Sequence, residues 1–118
     1  MSQNELVFLN ATLQAELIAS RQISAVELMR AHLERIERVN PKVNAICTLV
    51  AEQAQQAAKQ ADQQQARGAA IGPLHGLPVG IKDLVDTQGI RTTHGSPIYA
   101  NHVPEVDALV VTRYKQAG

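Results

Sequence analysis

Between residues 72 and 95 the chain reads GPLHGLPVGIKDLVDTQGIRTTHG, with glycines at 72, 76, 80, 89 and 95 and prolines at 73 and 78. No helix survives that punctuation, because an interior glycine costs about 1 kcal/mol and an interior proline about 3 kcal/mol relative to alanine. The stretch predicts short extended pieces separated by tight turns. Whatever precedes it and follows it must pack around a segment that cannot coil.

The flanking sequence is periodic. Thr12 to about Arg21 predicts a short helix with Leu13, Leu17 and Ile18 on one face. Ser24 and Glu27 form the S-x-x-E capping box, with Ile23 and Leu28 placed as a hydrophobic staple. Val26, Met29, Leu33 and Ile36 then recur at steps of three and four, one helical face. Pro41 predicts an end at Asn40. AICTLV, residues 45–50, is β-branched and apolar and predicts a buried strand. AEQAQQAAKQADQQQARG, residues 51–68, predicts a helix with a small-residue stripe at Ala54, Ala57, Ala58 and Ala61, suited to close approach to a sheet and closed by Gly68. Residues 77–85 predict a second strand. After Pro104 a further helix is expected, capped by Asp107, with Val106, Val110 and Tyr114 in step. Helices alternating with strands give an α/β layered class.

Hydrophobic residues make up 45% of the chain and aromatics 3%, so an aliphatic core is expected. Eleven basic residues balance eleven acidic ones. That neutrality gives no reason to expect nucleic acid or an anionic membrane as a partner. The single cysteine, Cys47, forms no internal disulfide and predicts inert core filling in a reducing compartment. MSQNELVFLN lacks the basic and apolar regions of a secretory signal, and no apolar run nears the roughly 20 residues that span a bilayer. A cytoplasmic location is the expectation.

The chemistry-bearing residues are few. His32, His75, His94 and His102 form neither H-x-x-x-H nor H-E-x-x-H, and no cysteine pair supports zinc, so neither a metal nor a cofactor is expected. The glycines do not make a phosphate loop, since Gly80 is followed by Ile81, Lys82 and Asp83. Lys82 is the residue that stands out. On a strand it shares a face with Pro78, Gly80 and Leu84, and Gly80 leaves space beside it. One reading is a strand-end lysine that reaches water or pairs with Asp83 or Asp86. The other is a base. A free lysine has a pKa of about 10.4, so about one in 2,500 is neutral at pH 7. Lowering that by about three units costs roughly 4 kcal/mol of differential interaction, which only a structured, desolvated site sustains. A neutral amine can activate a serine. Ser96, Thr92 and Thr93 are the candidate hydroxyls within this chain, and nothing beside them supplies an oxyanion hole.

GPLHGLPVGIKD, the T-x-G-I-R-T-T-x-G-S stretch, SPIYANHVP and VDALVVTRYKQAG follow one another in an order and spacing that resemble the amidase signature family, hydrolases of carboxylic amides. ISAVELMRAHLERIERVNPKVNAICTLV is similar to the family's N-terminal helix and first strand. The resemblance implies helices packed on a mixed β-sheet. It implies that Lys82 is the base of a Ser–cis-Ser–Lys triad. Both serines and the oxyanion loop then belong to a glycine- and serine-rich stretch downstream of the lysine, and Ser96 is not the nucleophile. No such stretch occurs in these 118 residues.

The expectation is therefore an N-terminal fragment of a single amidase domain, with an incomplete sheet. Residues 1–72 are the helical lead-in with the first strand, and 73–118 begin the signature region. The parent hydrolyses a small-molecule amide to an acid plus ammonia or an amine, while the fragment alone is inactive. Two alternatives stand beside this. One is the A subunit of a glutamyl/aspartyl-tRNA amidotransferase, whose amidase domain shares the motif. The other is a non-catalytic α/β module that binds a partner, or a second copy of itself, through an open sheet edge.

Overall fold

The computed structural model describes all residues, Met1–Gly118. Five α-helices follow in order: α1 Gln3–Leu6, α2 Ala11–Ala19, α3 Ala25–Val43, α4 Ala51–Ala66 and α5 Leu109–Ala117, with a 3₁₀ turn at Pro97–Tyr99 before the last. The helix starts follow local chemistry. Ser24 Oγ accepts from the Glu27 amide at 3.0 Å, and the Glu27 carboxylate accepts from the Ser24 amide at 2.7 Å, which is the predicted capping box. The Ser24 amide, joined by the Ser24 hydroxyl donating at 2.9 Å, holds the Glu27 carboxyl below the usual carboxylate range. The same device starts α1, where Ser2 and Glu5 pair reciprocally; that S-x-x-E was not anticipated from sequence. Asn10 caps α2 by accepting from the Leu13 amide at 2.8 Å.

The core is small. Leu6, Leu17, Ile18, Leu28 and Ala31 form one buried cluster, with Val7, Leu9, Ile23 and Leu77 against its rim. Ile23 packs against the cluster that contains Leu28, and Leu77 brings the glycine-rich segment onto the helices. Gly76 makes that approach possible. Its φ is +75°, and a Cβ there would lie 2.8 Å from Ala25 Cβ and 3.3 Å from Ile18 Cδ1, so both conformation and space select glycine.

α4 packs along α3. Its buried contact is Ala58, while Ala57 is exposed, so the alanine stripe serves helix against helix and not helix against sheet. Polar ties fix the pairing. Asp62 accepts from the amides of Ala25 at 2.8 Å and Val26 at 3.1 Å, placing a carboxylate on the positive end of α3. Gln65 donates to the Ile18 carbonyl at 2.9 Å, and Arg21 returns a bond to the Gln65 carbonyl at 3.0 Å.

Several expectations are corrected here. The α3 helix passes Pro41 and ends at Val43, because Asn44 takes the left-handed conformation (φ 49°) with its amide on the Asn40 carbonyl at 2.7 Å. The Asn40 side chain also accepts from the Ile46 amide and donates to the Ile46 carbonyl, so the turn is clamped from both sides. Residues 45–50 form no strand, and Cys47 is exposed, not core filling. Residues 77–85 form no strand either. A strand exists only when a second backbone completes its ladder, and the sole pairing here is an isolated antiparallel bridge, Thr87 with Ile90. The expected sheet is thus not formed by these residues. The last helix begins at Leu109, leaving Val106 exposed outside it, and its buried side chain is Val111. No helix is long and apolar enough to cross a membrane.

His32 is half-buried on α3 with its Nε2 3.5 Å from Gln14 Nε2. Burial lowers its pKa below the ordinary value of 6.5. The unfolded chain then binds the proton more readily than the folded one, so stability is highest above pH ~6.5 and falls as pH drops through and below it. Urea unfolding at pH about 7.5 and about 5.5 is expected to show a lower midpoint at the acidic value. His32→Gln should remove part of that decline, and an unchanged slope would show that other groups carry it.

Candidate functional site

Residues 78–82 leave the core at Leu77 and run to Lys82 without an element of their own. The amides of Val79, Gly80, Ile81 and Lys82 make no backbone hydrogen bond; the run ends where the Val85 amide closes a turn on the Lys82 carbonyl at 2.9 Å. A Cβ placed on Gly80 would meet nothing within 4 Å, so the space expected beside Lys82 is open. Lys82 itself is exposed. It pairs with neither neighbouring aspartate.

Asp83 receives the Thr93 amide at 2.8 Å on one oxygen and the Thr93 hydroxyl on the other. Those two bonds, the hydroxyl foremost, hold its carboxyl below the usual range. They also close residues 83–93 into a loop whose start carries Lys82. Asp86 faces His94 Nε2 at 2.9 Å and His102 Nε2 at 3.7 Å.

The candidate hydroxyls have structural occupations. Thr92 is buried, with its Oγ1 on the Ile90 carbonyl at 3.1 Å and its amide on the His102 carbonyl at 2.9 Å. Thr93 holds Asp83. Ser96 caps the 3₁₀ turn by accepting from the Ile98 amide at 3.3 Å. None is joined to Lys82 by a hydrogen bond, so the lysine meets no nucleophile among these residues. Asp107, expected to cap the last helix, accepts from the Gln88 amide at 2.7 Å and pairs with Lys115 at 2.6 Å. The Lys115 ammonium and that amide keep its carboxyl low. Together with the Ala108 amide on the Asp86 carbonyl and the Gly89 amide on the Pro104 carbonyl, these bonds fold 86–92 onto 100–108.

A recess of about 450 Å³ lies between α2 and residues 71–77, with His75 but not Lys82 in its wall. It is a separate feature from the lysine segment. Neither the Asp83–Thr93 tie nor the grouping of Asp86, His94 and His102 was anticipated from sequence. For the second a signal exists: the three are spaced eight residues apart, with the turn TTHGS between them.

Comparison with known proteins adds four findings. The family model described as Amidase matches residues 27–118. The A subunit of glutamyl-tRNA(Gln) amidotransferase from Carboxydothermus hydrogenoformans is 46% identical over 114 residues, covering 97% of this chain and 24% of the relative. Among solved structures, a chain of the vestigial protein complex that reveals the evolutionary origins of an s-triazine catabolic enzyme superposes with a TM-score of 0.88 at 33% identity, over 93% of this chain and 24% of that one. A fatty acid amide hydrolase superposes with a TM-score of 0.91 over 98% of this chain and 21% of that one; at 23% identity this shows the fold alone. These likenesses support the α/β class, although the residues in hand are helical. The chain spans about a quarter of the length of the relatives it matches.

Proposed function

The chain belongs to the amidase family, and on that premise we propose that its 118 residues are the lysine-bearing, N-terminal part of an amide hydrolase, with Lys82 as the base of a Ser–cis-Ser–Lys triad. The observation that carries the reading is the motif GIKD, which sets Lys82 on a run outside any helix, between the core residue Leu77 and the loop closed by Asp83 and Thr93. The run's unpaired amides suit a strand awaiting its neighbours. Once those neighbours cover it, the amine loses water and its neutral form gains. Neutral Nζ then takes a proton from the bridging serine, which takes one from the nucleophilic serine. That oxygen bonds to the amide carbon, the protonated amine departs, and water releases the acid from the acyl-enzyme. Lys82 ends each turnover as it began.

Asp83 serves as a positioning residue, since its two bonds to Thr93 fix the backbone immediately after the lysine. The substrate is a small-molecule amide, and the site takes no metal or organic cofactor.

The 118-residue chain alone is expected to release no ammonia or aniline from simple amides and anilides. Grafted in place of the matched residues of a family member, it should restore hydrolysis to that enzyme. Robust turnover by the unattached chain that Lys82→Ala abolishes would overturn this reading.

A second reading is favoured by the 46% identity, over 97% of this chain, with the glutamyl-tRNA(Gln) amidotransferase protein. On that reading the parent is the A subunit of such an amidotransferase, and its amide is glutamine. The discriminating assay is glutamine hydrolysis by the grafted enzyme compared with hydrolysis of aryl amides.

A further inference from the structure

Asp86, His94 and His102 come from three turns that the sequence separates by eight residues each, yet their ligand atoms all lie within 4.8 Å of one another. The bonds that gather them are backbone ones. The Ala108 amide holds the Asp86 carbonyl at 2.9 Å, the Thr92 amide holds the His102 carbonyl at 2.9 Å, and Gly95 follows His94 in a left-handed pair with φ values of 67° and 52°. A histidine with positive φ is uncommon and costs of order 1 kcal/mol, so the fold aims this ring against local preference. Tyr99 stands edge-on to both imidazoles, with centroids 5.0 Å from His94 and 5.5 Å from His102, which fixes their planes.

The carboxylate supplies an independent observation. Asp86 Oδ1 is buried from solvent and has no hydrogen-bond partner. His94 Nε2 lies 2.9 Å away, within ion-pair distance when the ring is protonated, yet makes no hydrogen bond to the oxygen. An unsatisfied anionic oxygen is costly when buried, and a cation between it and the imidazole nitrogens relieves that cost.

We propose that Asp86, His94 and His102 bind a divalent transition ion, Zn²⁺ by preference, through Oδ1 and the two Nε2 atoms. Two imidazoles and one carboxylate are the nitrogen–oxygen donor set that suits this class of ion, and not Mg²⁺ or Ca²⁺, which take oxygens. Bonds of about 2.0–2.2 Å in a tetrahedron place neighbouring donors roughly 3.3–3.6 Å apart. The Asp86 contacts of 2.9 and 3.7 Å bracket that spacing, and no donor pair exceeds 4.8 Å, so side-chain rotation within the cluster brings the three donors to one ion. All three side chains are about one-third exposed, which leaves a path for the ion and room for water as the fourth ligand. The site lies apart from the triad lysine's role and stands whether or not the chain belongs to a working hydrolase.

Titration calorimetry of the 118-residue chain with ZnCl₂ should give one ion per chain. Asp86→Asn, His94→Gln and His102→Gln should each weaken binding by about tenfold or more, while His32→Gln and His75→Gln leave it unchanged. Should a variant unfold, histidine NMR of the unsubstituted chain still decides. Zn²⁺ must shift the ring signals of His94 and His102 and leave those of His32 and His75 in place. Absence of saturable binding, equal shifts at all four histidines, or full affinity in His102→Gln would overturn the site.

Discussion

Replacing Lys82 by alanine in the grafted enzyme is expected to lower kcat for amide hydrolysis by about 10⁴-fold with KM nearly unchanged, the scale of losing one member of a catalytic unit. The reason is specific to the amine. A serine hydroxyl is a weak nucleophile until a base takes its proton, and in the proposed relay that demand ends on Nζ. Lys82→Arg should be almost as damaging, because a guanidinium keeps its proton at any working pH. Lys82→Met preserves the apolar stem and separates lost packing from lost basicity. Because Lys82 is exposed and lies outside the buried cluster of this chain, its substitution should leave the chain's own melting temperature within about 3 °C of its starting value. Turnover within tenfold of the starting enzyme in Lys82→Ala would remove the lysine from the mechanism.

The second large effect is on stability. Leu28→Ala is expected to cost about 2–5 kcal/mol, since the side chain is fully buried at the centre of a five-residue cluster. A chain of this size is stable by about 5–15 kcal/mol at most, and a core this small places it at the low end. The substitution should therefore leave a large unfolded fraction at 37 °C, seen as lost helical circular dichroism. Leu84→Ala is the control. Its side chain is half-exposed, and its loss should change the stability measured by urea unfolding by no more than about 0.5 kcal/mol. Equal effects of the two would mean that the cluster is not the core.

What the sequence disclosed follows from the range of the forces involved. The capping box at Ser24, the helix over 51–66 and the unhelical texture from Gly72 are local properties, set by propensity and by bonds spanning three or four residues. The triad assignment of Lys82 came from motif resemblance, and spacing alone left it open. The strands at 45–50 and 77–85 failed as elements because pairing is a contract between distant segments, and neither finds its partner among these residues. Pro41 misled because its cost falls in the last turn, where Asn40 and Asn44 supply alternative bonds. Asp62 on the start of α3 and Asp86 among two histidines were illegible for the same reason. They are contacts across 36 or 37 residues in the first case and between three turns in the second.

The bare passage from Leu77 to Lys82 acts as a tether of fixed length. Five residues reach at most about 18 Å when fully drawn out, so the helical cluster sets a radius beyond which the ammonium cannot travel. Adding one residue to this tether would lengthen its reach by about 3.5 Å. Glycine at position 80 can be exchanged with little steric consequence among these residues, whereas altering the number of residues in the tether changes how far Lys82 stands from the helical cluster.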